Sequence, residues 1–250
     1  MRTRIKAFRF FAALFAAAIF APVAVAERTG AFTDIHAQEH IFGVHPGGDD
    51  GAGPVKDISF ELYVPPAYDR DDPPGLLVFI SPVIRGKPPD RLKRMLDEQN
   101  LIWISVNDSG DRTEDLERMI EAYGSLAYAL DRYRIDYRRR YLGGFAGGAR
   151  VASLFAQDYP QFFNGYLFFA GAEHWREPAK GDLRRYKKDW FAFVVGRNDM
   201  AADPVRRSYE SFADAGLENI ELFEIEGLAH RLPDAAAFGD VVDYLDRRRP

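Results

Sequence analysis

The sequence predicts an α/β fold in which a mostly parallel, doubly wound sheet carries helices on both faces. Three observations lead there. GLLVFI at 75–80, LIWISV at 101–106, GYLFFA at 165–170 and WFAFVV at 190–195 are almost unbroken apolar runs, as strands covered on both faces require. Stretches with helical periodicity lie between them, so strand and helix alternate in a parallel α/β order. A chain of 250 residues, 47% hydrophobic and 14% aromatic, can also bury one sizeable core.

Residues 1–26 read as an export signal. Arg2, Arg4, Lys6 and Arg9 precede an apolar run from Phe10 to Val23, and Ala24, Val25 and Ala26 supply a small-residue exit. The run is too short and too alanine-rich for a membrane span. The mature chain is therefore expected to begin at Glu27, periplasmic or secreted, with no integral membrane span after cleavage. Residues 27–56 are polar and glycine-rich without a clear period, which predicts a loosely structured lead-in. Residues 57–250 are expected to form a single domain.

That domain opens with Ile58, Phe60, Leu62 and Val64, alternating as a strand with one buried face. Leu116, Met119, Ile120, Tyr123, Leu126, Leu130 and Tyr133 then recur at helical spacing, and Phe238, Val241, Val242 and Leu245 repeat the pattern near the end. A last strand, IELFEI at 220–225, lies between a helix over 204–215 and that terminal helix.

Composition excludes some functions. Removing the signal takes four of the 33 Lys and Arg and none of the 38 Asp and Glu, which leaves 29 against 38, a balance of −9. An acidic chain of this kind does not suit nucleic acid as a partner. With Cys at 0, disulfides and a lipid-bearing cysteine are excluded. The string HAQEH, His36 to His40, matches a zinc-peptidase pattern, with His45 and Asp49 nearby. No helical apolar pattern flanks it, so neither a metal nor another cofactor is expected.

In a doubly wound sheet, ligands bind beyond the carboxyl ends of the strands. One such loop reads Gly144-Phe145-Ala146-Gly147-Gly148, followed by a helix through Val151, Leu154 and Phe155. A nucleophile elbow needs small residues two positions either side of its centre, and Gly144 and Gly148 meet that need. A phosphate-binding turn is also glycine-rich, so this loop alone leaves both readings open. Two later loops favour the first. VVGRND places Asp199 after a buried strand, with Asp203 as the alternative acid, and EIEGLAH places His230 after the next strand. Nucleophile, acid and histidine thus follow in the order that serine hydrolases of this architecture use.

The stretch from Ile58 to Leu245 resembles the secreted esterase branch of the α/β-hydrolase superfamily, the polyhydroxyalkanoate-depolymerase-like and feruloyl-esterase-like proteins. The residues that bear the resemblance are YRIDYRRRYLGGFAGGARVASLFAQDYPQFFNG, the GRND loop and the GLAH loop. It implies a serine at the centre of the elbow, where this chain has Ala146. It further implies oxyanion donors at the Gly147 N–H and in the loop after the first buried strand. There the family's His-Gly pair is replaced by Ser81-Pro82, so Val83 or a neighbour would have to donate.

A methyl group can be neither deprotonated nor acylated. The sequence therefore leads to an exported hydrolase-like protein, without the nucleophile and non-catalytic or very weakly active, that keeps a cleft for a small-molecule or polymer ester-like ligand. Two alternatives remain: an ester hydrolase using a His230-activated water or an unorthodox nucleophile such as Ser109, and a structural or partner-binding role. Ser109, His174 and Trp175 are expected near the cleft, with no lid over it.

Overall fold

The computed structural model describes residues 27–37, 57–176 and 183–247. The export signal, residues 38–56 of the expected lead-in, and His40, His45 and Asp49 lie outside the described residues. Eight strands form one sheet: β1 (Gly30–Ala37), β2 (Asp57–Val64), β3 (Gly75–Ile80), β4 (Leu101–Val106), β5 (Arg140–Phe145), β6 (Gly165–Phe169), β7 (Trp190–Gly196) and β8 (Ile220–Ile225). Their spatial order is β1-β2-β4-β3-β5-β6-β7-β8. From β4 to β8 every neighbouring pair is parallel, whereas β1 and β2 join antiparallel at one edge.

Among the described residues five helices cover the sheet: α1 (Lys93–Glu98), α2 (Asp115–Arg132), α3 (Gly147–Asp158), α4 (Ala202–Asp214) and α5 (Ala235–Asp246). The apolar runs of β3, β4, β6 and β7 feed two cores, one on each face. Phe60, Val78, Ile104, Leu126, Phe155, Phe168, Phe193 and Phe212 belong to the core under α2, α3 and α4. Leu77, Phe79, Trp103, Leu96, Phe169, Phe238 and Val242 belong to the core under α1 and α5. Each large side chain fully buried in this way is worth about 1.5–3 kcal/mol, so both faces must be covered for the sheet to persist.

Two expectations need correction. The lead-in is not loose throughout, because Gly30–Ala37 is a strand whose register with β2 runs from Gly30↔Val64 to Ala37↔Asp57. Its apolar period is illegible because Phe32 is buried while Ile35 is 62% exposed. Polar links hold it instead: Thr33 Oγ1 donates to Glu61 Oε1 at 3.1 Å, the Tyr128 hydroxyl donates to Asp34, and Arg132 Nη2 lies 3.0 Å from His36 Nε2. With β1 as the edge, β2 is an interior strand covered on both faces. Glu61 and Tyr63 are buried opposite Phe60 and Leu62, and the Tyr63 hydroxyl donates to Asp97 Oδ1 of α1 at 2.8 Å.

The chain passes from β3 outward to β4, then returns across β3 to β5. The strand order reverses there, which opens a crevice beyond the carboxyl ends of β3 and β5. Ala146 follows β5 directly.

Candidate active site

The turn from β5 into α3 is as tight as its glycines suggest. A β-carbon on Gly144 would stand 2.4 Å from the Gly148 carbonyl carbon, and one on Gly148 would stand 1.9 Å from Ile80 O. A third glycine, not foreseen from the sequence, is Gly171, whose β-carbon would lie 2.4 Å from Ala146 O. Between them Ala146 takes φ 50°, ψ −117°, a strained conformation for a residue with a side chain. The neighbouring strand fixes it there, since the Ala146 N–H donates to Phe169 O at 2.8 Å.

Asp199 and His230 come together. His230 Nδ1 lies 2.9 Å and 3.0 Å from the two Asp199 carboxylate oxygens. Asp199 has a side chain only 1% exposed, while that of His230 is 40% exposed. The acid is held by its own loop, with the Ala201 N–H donating to Oδ1 at 2.8 Å. The histidine loop is tied down by Arg91, whose Nη2 donates to Leu232 O at 2.9 Å. The imidazole lies against Phe145, centroids 4.9 Å apart, which brings it to the Ala146 turn. With Nδ1 engaged by the carboxylate, Nε2 is the nitrogen left to exchange a proton. Asp203 is not part of the pair. It lies on α4, exposed, with Arg206 Nη1 at 2.7 Å.

The oxyanion side departs from expectation. Val83 is exposed, and its N–H donates to Ser81 Oγ at 3.2 Å, so it is committed to a local turn instead of the crevice. Pro82 has no N–H, and its carbonyl accepts from the Asp111 N–H at 3.1 Å. Asp111 packs beside the elbow: a β-carbon on Gly147 would meet its Oδ1 at 2.1 Å and Oδ2 at 2.8 Å. That carboxylate is held by Arg118, whose Nη1 lies 3.2 Å from Oδ1 and whose Nη2 donates to Ser81 O at 2.9 Å. The Arg118 side chain is 1% exposed and that of Asp111 50%. Burial pushes the Arg118 guanidinium below its ordinary value, and Asp111 pushes it back.

The remaining expected cleft residues, Ser109, Trp175 and His174, make contacts of their own. Ser109 is buried and donates to Glu121, so its hydroxyl turns into the fold and away from the crevice. Trp175 packs edge-on against Tyr186 and Phe212, centroids 4.8 and 5.0 Å apart, where it extends the core beside α4. His174 is exposed, and its carbonyl accepts from Gln157 Nε2 at 3.3 Å. Asp111, Arg118 and Phe145 are the site neighbours that sequence reasoning missed. One signal was present: Arg118 is a charged residue directly beside Met119 of the apolar helical stripe.

Among the described residues no group of three or more His, Asp and Glu could hold a metal ion, and no helix is long and apolar enough to cross a membrane. The arrangement is chemically a supported base at a strained turn whose side chain is a methyl group.

No protein family and no curated protein matches the sequence. Solved structures do match in shape. A ferulic acid esterase superposes with a TM-score of 0.65 at 13% identity, over 89% of this chain and 100% of its own. A serine-to-alanine mutant of an α/β-hydrolase enzyme from the metagenome of Lake Arreo, Spain, gives 0.60 at 13% identity, over 89% and 84%. An arylesterase gives 0.58 at 12% identity, over 98% of both chains. With its eight-stranded, mostly parallel sheet and these neighbours, the chain has the α/β-hydrolase fold.

Proposed function

We propose that this chain is an exported, hydrolase-like binding protein that holds an ester-like ligand at the Asp199–His230 crevice without hydrolysing it. One observation supports this above the others: the strained turn is built around Ala146, with the Asp199–His230 pair assembled beside it. In a serine protease, losing the serine alone costs roughly a millionfold in turnover, or about 8 kcal/mol of barrier reduction at about 1.4 kcal/mol per decade. A missing oxyanion donor removes roughly 10² to 10³ more, and Val83 donates elsewhere. The ferulic acid esterase and arylesterase likeness makes an acyl or aromatic ester, small or polymeric, the ligand class to try first. Export rests on residues 1–26, and amino-terminal sequencing of the exported protein should begin at or near Glu27.

The native protein should show no ester turnover and no covalent labelling by a fluorophosphonate probe, while binding of an aryl ester should be measurable by calorimetry. Ester turnover abolished by His230→Ala would overturn the reading in favour of an activated water. Absence of binding across aryl and acyl esters would favour a structural or partner-binding role.

A further inference from the structure

At the end of the sheet opposite the crevice, β5, β6 and β7 begin side by side. The Asn164 N–H donates to Arg140 O at 2.8 Å, and the Trp190 N–H donates to Asn164 O at 3.2 Å. Two basic clusters distant in sequence, Arg138 with Arg140 and Arg185 with Lys187 and Lys188, are thereby brought two strands apart, about 10 Å. Arg138, Arg185, Lys187 and Lys188 are exposed, and Arg140 is half-buried. Among the described residues none of these five side chains makes an ion pair. The acids of this edge are engaged: Asp246 by Arg139 at 2.8 Å and Asp158 by Arg176 at 3.0 Å. Asp136 accepts from the Arg138 N–H at 2.9 Å, and Asp189 is buried. An acidic chain thus gathers uncompensated positive charge at one edge. An aromatic ring stands within it: Tyr137 is 65% exposed, with the Arg138 guanidinium 5.3 Å from its ring centroid.

We propose that this edge docks on an anionic lipid bilayer, with the basic side chains at the phosphate headgroups and Tyr137 at the interface. Basic residues are drawn to such a surface within a Debye length, and a ring with an apolar body and a polar tip suits the headgroup layer. The exposed ring favours a bilayer over a soluble polyanion, which satisfies only the charges. The crevice opens at the carboxyl ends of the strands, so a protein docked by their amino ends turns its crevice away from the lipid. Docking of this kind is peripheral and does not depend on what the crevice binds.

Every strand and helix described above lies within residues 27–247, so the chain from Glu27 is used, free of the apolar run that would itself bind vesicles. Vesicles of phosphatidylglycerol and phosphatidylcholine, at about 0.05 M salt, should carry the protein down on sedimentation, and vesicles of phosphatidylcholine alone should not. Arg138→Gln, Lys187→Gln and Lys188→Gln combined should lower partitioning about 10²-fold, at about fivefold per lost charge. The melting temperature should not change, since all three residues are exposed. Tyr137→Ser should weaken vesicle binding several-fold and leave retention on heparin, a soluble polyanion, unchanged. No sedimentation with anionic vesicles, or equal partitioning of native protein and triple variant, would overturn the proposal. A Tyr137→Ser loss that is equal on vesicles and heparin, or absent on vesicles, would also overturn it and assign the edge to a soluble polyanion.

Discussion

A β-carbon on Gly196 would stand 1.8 Å from the carbonyl oxygen of Leu228. The end of β7 and the backbone just before His230 therefore touch, and the acid loop and histidine loop are packed as one unit. Gly196→Ala should force them apart at a cost of about 1–3 kcal/mol. Urea unfolding will read the loss, and the hydrogen-bonded Nδ1 proton of His230 should disappear from the far-downfield proton spectrum.

Ala146 occupies a backbone conformation that glycine adopts more readily, and strain of this kind costs of order 1–3 kcal/mol. Ala146→Gly should raise stability by a fraction of that, since glycine's greater freedom in the unfolded chain offsets part of the gain. A lowered melting temperature would show that the turn is unstrained.

Ala146→Ser supplies a hydroxyl beside an assembled Asp199–His230 pair. With Asp111 still against Gly147, fluorophosphonate labelling of this variant should be slow. Ala146→Ser combined with Asp111→Ala should label about 10² faster, the scale of one oxyanion donor. Equal rates would mean that Asp111 does not obstruct the anion side.

The polar links that hold β1 should give the fold an acid-sensitive edge. Burial works against the charged form of Asp34, but hydrogen bonds from Tyr128 and His36 outweigh it and hold the carboxyl below its ordinary value. The folded value lies below the unfolded one, so the stabilisation is complete above the unfolded value and is lost as pH falls through the folded one. Melting temperatures followed from about pH 5 downward, the range in which such a carboxylate is protonated, should fall more steeply for the native protein than for Asp34→Asn. Tyr63 provides the alkaline counterpart. Burial, reinforced by Asp97, pushes it up to about 12, so its contribution is present below the unfolded value and lost as pH rises through the folded one.

Much of this was legible because the signals were repeated. Four apolar runs identified interior strands, and three loops at the carboxyl ends of strands held Ala146, Asp199 and His230 in a recognisable order. What escaped lacked a periodic signal. β1 is held by Asp34, His36 and Thr33 through partners distant in sequence, and α1 is a six-residue helix, too short for periodicity to show. Val83 and Ser109 were misplaced because a loop residue's partner depends on the turn it makes. Ser81 Oγ captures one and Glu121 the other. Asp111 could not be identified because its role comes from the packing of the Asn107–Asp111 loop against α3.

On the proposed reading, the proximity of Asp111 to Gly147 also bears on how easily ester chemistry could arise in this chain by mutation. Every alanine codon is one base from a serine codon, so a site lacking only its hydroxyl would be one mutation from activity and exposed to selection for it. An opposing carboxylate on a separate loop removes most of the benefit of that step, and losing the carboxylate first leaves Arg118 buried without its partner. Each single change is unrewarded or harmful. On the reading proposed above, an inactive site would then be held by a residue outside the Asp199–His230 pair, as a ratchet.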